Sequence, residues 1–340
     1  MRIAIVHNYV KDTSSPDEQD VLVQVEVVTA ALKELGHEPL PLSCTLNLSE
    51  LCMRLQEIKP DIVFNLVESL DGQDRLIHLF PSVLDAMGLV YTGSSAESIF
   101  LTTQKVLAKE RMVWANLPTP EWIGPYPQNI PLLQNPKSTC DSSDRCWIIK
   151  SLWDHGSLGL DEDSLVYDKN VAFVQEILKN RVSQSGGSCF AEQYIEGREF
   201  NLSLLEASDG PQVLPLAEII FEGYEQGKPR IVGYHAKWKE NSYEYHHTPR
   251  RFDFPPTDES LLIRLKEMAI RCWQVFGLKG YARVDFRIDE KGQPWILEVN
   301  INPCLSPDAG FVAATEHAGL TFIEIVERIL RGALRNQVQP

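Results

Sequence analysis

The stretch GYARVDFRIDEKGQPWILEVNIN, residues 280–302, confines this chain more than any other. Two extended runs flank a polar turn, the pattern of a β-hairpin. Ala282, Val284, Phe286 and Ile288 share one face of the first run, and Arg283, Asp285 and Arg287 share the other. In the second run Trp295, Ile296, Leu297, Val299 and Ile301 are apolar, yet Glu298 and Asn300 interrupt them. An ionised carboxylate is costly to bury without a cation or hydrogen bonds. A turn over Asp289–Gly292 places Arg283 opposite Glu298 and Asp285 diagonal to it, within reach of a common cation. A slip of one residue would destroy that arrangement. Two carboxylates and an amide oxygen are hard ligands of the kind Mg²⁺ takes. An Arg283–Glu298 salt bridge with Asp285 exposed accounts for the same residues. The polar run Asn300-Ile301-Asn302-Pro303 favours the metal site.

The remaining chain falls into three blocks, and its 340 residues suit two or three domains. Residues 1–100 alternate strands (RIAIVHNY, DIVFNLVE and the short VYTGSS) with helices (VLVQVEVVTAALKELGH, RLIHLFPSVLDAMG). Such alternation predicts an α/β unit with a parallel sheet. The polar stretch 11–20 follows the first strand, where open α/β sheets place ligand loops. Residues 101–187 read as a helix (TTQKVLAKERMVWANL), a Pro- and Ser-rich connection, the strand CWIIKS, a glycine loop, a helix and the turn SQSGGS. Residues 188–340 carry CFAEQYI, EFNLSLLEA, QVLPLAEII and the hairpin. These strands predict an antiparallel sheet, with helices at ESLLIRLKEMAIRCWQVFG and TFIEIVERILRGAL.

Net charge is −15, which argues against a nucleic-acid or anionic-membrane surface. MRIAIVHNYV does not read as a signal peptide, and no apolar run approaches the ~20 residues that span a bilayer. Seven scattered cysteines without a C-x-x-C pair suit reduced thiols and a cytoplasmic location. No Cys or His grouping has zinc-site spacing.

Two further stretches suit a nucleotide. Strand CWIIK ends in Lys150, and Asp154-His155-Gly156-Ser157-Leu158-Gly159 follows. Glycines let backbone N–H groups approach phosphate oxygens and a lysine supplies charge. No Gly-Lys-Ser/Thr is present, so this is not a P-loop, and alone it reads as a surface turn. In CFAEQYIEGREF, Glu192 and Tyr194 alternate with Gln193 and Ile195. Backbone groups there can meet a purine edge while Ile195 packs on its face, and Glu199 can accept ribose hydroxyls. An edge strand with solvated charges explains the same segment.

Together with YTGSSAESIFLTTQKVLAKERMVWANLPTPEW, IIKSLWDHGSLGL, AEQYIEGREFNLSLLE and YHAKWKENSYEY, the hairpin resembles the ATP-grasp superfamily, in its D-alanine–D-alanine ligase-like branch. Five loose motifs in matching order cover nearly the whole chain. The resemblance implies a three-domain ATP-grasp fold with ATP between the second and third blocks. It implies Lys105 and Lys150 on the phosphates, Ser157 covering them, and Glu192, Gln193, Tyr194 and Ile195 as the adenine hinge. Glu199 would bind ribose and Lys237 the γ-phosphate, while Asp285, Glu298 and Asn300 would hold two Mg²⁺, with Mn²⁺ as a substitute. Arg283 would stabilise an oxyanion beside the N–H near Cys304, itself a packing residue. The implied activity joins a carboxylate to an amine through an acyl phosphate, in a homodimer by family habit.

The departures gather where the family binds D-alanine. Ser15-Pro16-Asp17-Glu18-Gln19-Asp20-Val21 replaces a Ser-x-Glu-Arg-Glu-Val-Ser run, and Val67-Glu68-Ser69-Leu70-Asp71-Gly72 replaces the His-Gly and Glu-Asp-Gly elements. Cys304-Leu305-Ser306-Pro307-Asp308 replaces Gly-Met-Thr and a later serine. Glu18, Glu68 and Asn302 are the candidate substrate contacts. The expectation is therefore a ligase for a small acid and an amine other than two D-alanines, one candidate adding an amino acid to a mycosporine-type metabolite. A true D-alanine–D-alanine ligase, a kinase that stops at the phosphorylated acid, and a non-catalytic ATP-binding regulator are the alternatives.

Overall fold

The computed structural model describes residues 1–126, 146–157, 159–168, 170–185, 187–225 and 227–338. Most of the Pro- and Ser-rich connection, Leu158 of the glycine loop and Gly186 of the turn expected at 183–188 lie outside them.

The chain opens with β1 (Arg2–Asn8), α1 (Pro16–Glu34), β2 (Glu38–Cys44), α2 (Leu48–Ile58), β3 (Ile62–Leu66) and α3 (Leu79–Met87). The strands form the expected parallel sheet, in order β2-β1-β3. Ile3, Ala4, Ile5 and Val6 are fully buried, as a central parallel strand with both faces covered requires. Reading the sequence passed over β2 and α2. Pro39 and Pro41 hide β2, and both are tolerated because β2 is an edge strand that pairs only with β1. VYTGSS is not a strand; it contributes one bridge, Tyr91 to Val63. The stretch 11–20 is only half a loop, because α1 begins at Pro16 and Glu18 caps it by accepting the Ser15 N–H at 3.2 Å.

Next come α4 (Ala96–Thr103), α5 (Lys105–Trp114), β4 (Trp122–Tyr126), β5 (Cys146–Ser151), β6 (Leu165–Tyr167), α6 (Val171–Ser185) and β7 (Cys189–Gln193). The single helix expected at 102–117 is two. Gln104 leaves the helical region at φ −80°, ψ 97° and its side chain caps α5 through the Leu107 N–H. The sheet order is β4-β7-β5-β6, antiparallel throughout. Thus CFAEQ pairs here rather than with the later strands, and α6 runs on into the turn expected after Val182.

The last part holds β8 (Arg198–Ala207), β9 (Gly210–Val213), β10 (Ala217–Ile219), α7 (Tyr234–Trp238), α8 (Tyr243–His246), β11 (Arg250–Arg251), α9 (Glu259–Phe276), β12 (Tyr281–Ile288), β13 (Pro294–Asn300), α10 (Gly310–His317) and α11 (Phe322–Val338). Its antiparallel sheet runs β11-β10-β8-β12-β13, with β9 also on β8. QVLPLAEII is two strands because they pair with opposite halves of one edge of β8. Gly277 ends α9 in the left-handed region at φ 60°.

The hairpin register differs from expectation. Arg283 faces Asn300 and Asp285 faces Glu298 directly. The turn spans five residues, since Ile288 pairs with Pro294, and a bulge at Leu297 lies between the Phe286–Ile296 and Asp285–Glu298 pairs. Each insertion alone would flip the face; together they restore parity, so the two carboxylates still share one side.

One apolar core joins the first and last sheets: Ile3, Ile5, Val21 and Phe64 pack with Leu205, Tyr281, Ile325 and Ile329. No helix among the described residues is long and apolar enough to cross a membrane.

Candidate active site

A cleft of about 540 Å³ opens between the three sheets. It is lined by Ser157, Lys150, Glu192, Gln193, Tyr194, Ile195, Glu199, Lys237, Arg283, Asp285, Glu298, Asn300, Glu18, Glu68 and Asn302. Of the residues singled out in the sequence only Lys105 is outside the lining. The break at Gln104 sets Lys105 at the start of α5, where its Nζ donates to the Asp154 carbonyl at 2.6 Å. It therefore braces the glycine loop.

At the β5–β7 end, Glu192 is 1% exposed and sits between two lysines. Lys150 Nζ pairs with Oε1, and Lys109 Nζ lies 2.5 Å from Oε2. Burial opposes the charge on Glu192, yet Lys109 and Lys150 hold its carboxyl below the usual range. Lys109 also donates to Thr119 Oγ1 at 2.7 Å, and that hydroxyl donates to the Ile296 carbonyl at 2.9 Å. A buried ammonium thus ties α5, β7 and β13 together. In the segment expected as the adenine hinge, the Gln193 and Tyr194 N–H groups donate to the Glu121 and Cys146 carbonyls, each at 2.8 Å. Glu199 is held by Arg287 at 2.8 Å, and the Arg287 guanidinium lies over the Tyr194 and Phe221 rings.

At the centre, Arg283 grips Asp285 through two bonds of 2.7 and 2.8 Å, not Glu298 as the salt-bridge alternative supposed. Arg283 Nη1 has no protein partner among the described residues and the side chain faces the cleft. Asn201 Nδ2 adds 2.9 Å to Asp285 Oδ1. Glu298 Oε1 meets His155 Nδ1 at 3.2 Å. Although burial opposes its charge, Lys105, His155 and Lys237 keep the Glu298 carboxyl well below its usual range. Burial and the nearby Arg283 lower the Lys237 ammonium.

The loops over the cleft lock together. Ser157, at φ 62°, donates its hydroxyl to the Val232 carbonyl at 2.9 Å. Trp238 Nε1 donates to the Gly156 carbonyl at 3.0 Å, and Tyr234 OH donates to Asp17 at 2.8 Å. Asp74 accepts the His155 N–H at 2.7 Å.

The far end, between α1 and the segment after β3, is acidic. Gln24 is 2% exposed, and its Nε2 donates both to Glu68 Oε1 at 2.9 Å and to Asp20 Oδ2 at 3.2 Å. Asp20 also accepts the Ser306 hydroxyl at 2.8 Å and the Cys304 thiol at 2.9 Å. Burial, with Asp20, Asp74 and Asp17 beside it, pushes Glu68 up to about 8 against the Gln24 hydrogen bond. Asn302 accepts the Tyr281 hydroxyl at 2.7 Å, so its Oδ1 is engaged.

Sequence reasoning missed Lys109, His155, Arg287 and Asp20. Lys109 stands four residues after Lys105, one helical turn on, and Arg287 shares the face of Arg283 and Asp285. Both signals were present, but their partners come from other elements.

Comparison with known proteins bears on what this cleft is. A family model for the D-ala D-ala ligase C-terminus matches residues 164–331. The uncharacterised protein y4sG of Sinorhizobium fredii is 30% identical over 313 residues, 91% of this chain and 86% of that protein. The chain belongs to the D-alanine–D-alanine ligase-like branch of the ATP-grasp superfamily. A D-alanine–D-alanine ligase of Synechococcus is 29% identical over 324 residues, 94% of this chain and 90% of that one. The D-alanine–D-alanine ligase of Bacillus anthracis, solved in complex with ATP, superposes with a TM-score of 0.74 over 100% of this chain and 99% of its own, at 20% identity. The protein is an ATP-grasp ligase related to D-alanine–D-alanine ligase.

The ATP-grasp fold implies a divalent cation, and the residues here fit one. Glu298 lies well below its usual range, Asp285 stands opposite it, and Asn300 lies two pairs along, its amide oxygen accepting the Asn302 N–H at 3.0 Å. Among the described residues no group of three or more His, Cys, Asp or Glu side chains is gathered for an ion. A third protein donor beside Asp285 and Glu298 would be the Asn300 amide.

Proposed function

We propose that the protein is an ATP-dependent carboxylate–amine ligase that forms an amide through an acyl phosphate, with substrates other than two D-alanines. One observation carries this reading: Asp285 and Glu298 face each other across β12 and β13 in the same cleft as Lys150, Lys237 and Arg283. Lys150 and Lys237 would bind the phosphate oxygens, and Glu199, fixed by Arg287, would accept the ribose hydroxyls. Asp285, Glu298 and Asn300 would hold Mg²⁺, which neutralises charge on the phosphoryl group in transfer. The acid's carboxylate oxygen bonds to the γ-phosphorus as the bond to ADP breaks. The amine nitrogen then bonds to the acyl carbon, the bond to phosphate breaks, and the ammonium proton leaves to solvent. Asp285 holds one edge of the Arg283 guanidinium through Nε and Nη2, which would leave Nη1 to stabilise the oxyanion.

The relatives named D-alanine–D-alanine ligases favour a second reading, that two D-alanines are the substrates. Against it stands the acidic far end of the cleft, built from the segments that depart from the family pattern. Release of ADP and phosphate with Mg·ATP, measured over a panel of D- and L-amino acids and small acids with products weighed by mass spectrometry, decides between them. A condensed product that needs a particular pair and disappears in Glu298→Gln is the expected result. A D-alanyl-D-alanine product would overturn the substrate reading, and ATP binding without turnover over the panel would overturn the ligase.

A further inference from the structure

The two carboxylates that face each other across β12 and β13 are held in different ways. Asp285 is fixed within its own sheet: Arg283 Nε and Nη2 donate to it at 2.7 and 2.8 Å, and Asn201 Nδ2 of β8 donates at 2.9 Å. The Glu298 side chain has a single hydrogen-bond partner among the described residues, His155 Nδ1 at 3.2 Å, and the contact uses Oε1 alone. A carboxylate only accepts hydrogen bonds, so Nδ1 carries the proton of this contact. His155 stands in the glycine loop between β5 and β6, so the partner of Glu298 comes from another sheet.

The backbone around His155 is anchored on both flanks. Its own N–H donates to Asp74 Oδ2, from the segment after β3, at 2.7 Å. Before it, the Asp154 N–H donates to Ser151 Oγ at 3.2 Å and the Asp154 carbonyl accepts Lys105 Nζ at 2.6 Å. After it, the Gly156 carbonyl accepts Trp238 Nε1 at 3.0 Å. The imidazole is thus presented to Glu298 from a fixed point. A glutamate side chain that is not held loses rotamer freedom when it takes a ligand, and a hydrogen bond made beforehand reduces that loss.

We infer that His155 is a positioning residue for the cation site: it orients Glu298 from the glycine loop, so that closure of this loop over the nucleotide and binding of a divalent cation favour each other. The inference rests on the reading of Asp285, Glu298 and Asn300 as the cation's ligands. His155 acts through Glu298 and leaves Oε2 without a protein partner among the described residues. Binding free energies are reciprocal, so the nucleotide strengthens cation binding by the factor with which the cation strengthens nucleotide binding.

Calorimetric titration of the full chain with AMP-PNP, an ATP analogue that resists phosphoryl transfer, tests this without turnover. It is run once with excess Mg²⁺ and once with EDTA. The ratio of the two dissociation constants measures the coupling, and in the parent the Mg²⁺ form should bind more tightly. His155→Ala should lower that ratio about tenfold, through weaker binding of the Mg²⁺ form with the EDTA constant unchanged. His155→Asn, whose Nδ2 can take the place of Nδ1, should keep most of the ratio. An unchanged ratio in His155→Ala would overturn the inference, and a larger one would show that His155 obstructs the cation. Equal losses with and without Mg²⁺ would also overturn it and leave His155 as a brace of the loop alone. A parent that binds both forms equally would overturn the cation reading itself, and the inference with it.

Discussion

Replacing Lys109 by Met should cost this protein about 3 kcal/mol of stability. The Lys109 and Glu192 side chains are 1% and 2% exposed, and their charged atoms are 2.5 Å apart. Removing one partner of a buried ion pair costs about 3–5 kcal/mol, because the other charge is left uncompensated. Glu192 keeps Lys150, whose side chain is 18% exposed, so the low end of that range applies. Lost hydrogen bonds to Thr119 Oγ1 and the Pro120 carbonyl are part of the same cost. The diagnostic is the double variant Lys109→Met/Glu192→Gln. It removes the stranded charge, so it should recover at least 1 kcal/mol relative to Lys109→Met alone. Urea unfolding of the two single variants, the double variant and the parent closes the cycle. A double variant no more stable than Lys109→Met would refute the reasoning and show that packing of the lysine stem, not the charge pair, carries the effect. The nucleotide should report the same event. With Lys109 gone, Lys150 alone balances Glu192 and is less free to bind phosphate, so KM for ATP should rise about tenfold, which is about 1.4 kcal/mol.

Arg287→Met should release Glu199, raising KM for ATP about tenfold and abolishing any preference for ATP over 2′-deoxy-ATP; an unchanged preference ratio would show that Glu199 needs no brace. Glu68, raised to about 8, keeps in the folded state a proton that the unfolded chain loses near pH 4.5, so stability should fall as pH climbs between those values. After screening in the open cleft the loss is on the order of 2 kcal/mol. Glu68→Gln should gain that much on the parent at pH 8 compared with pH 5, and equal differences at both would refute the shift. Gly197 has φ 143°, and a Cβ there would lie 1.9 Å from the Ile288 carbonyl oxygen. Gly197→Ala should therefore lower the thermal midpoint by several degrees, at a cost of about 2–3 kcal/mol, and an unchanged melting curve would show that the turn before Glu199 can yield.

What could be read from the sequence, and what could not, divides by the range of the interaction. The buried run RIAIVHN, the stop of α9 at Gly277 and the shared face of Arg283, Asp285 and Arg287 follow from spacing along a single element. The shared face of Asp285 and Glu298 also survived a wrong register, because the five-residue turn and the Leu297 bulge shift the pairing by two residues and parity is kept. β2 escaped notice since its prolines are acceptable only at a sheet edge, and edge position is a property of the assembled sheet. The placement of CFAEQ failed for the same reason: a strand's periodicity says how it faces, not which sheet it joins. Charge was the hardest to read. Glu192 and Glu298 looked alike as carboxylates on apolar strands, but the first is clamped by two lysines and the second meets His155 from the glycine loop. Glu68 resembles both in sequence and differs from both in company, with a glutamine and other carboxylates around it. Burial alone makes a carboxylate costly; only the partners brought by distant segments decide whether it holds a lysine, a histidine or its own proton.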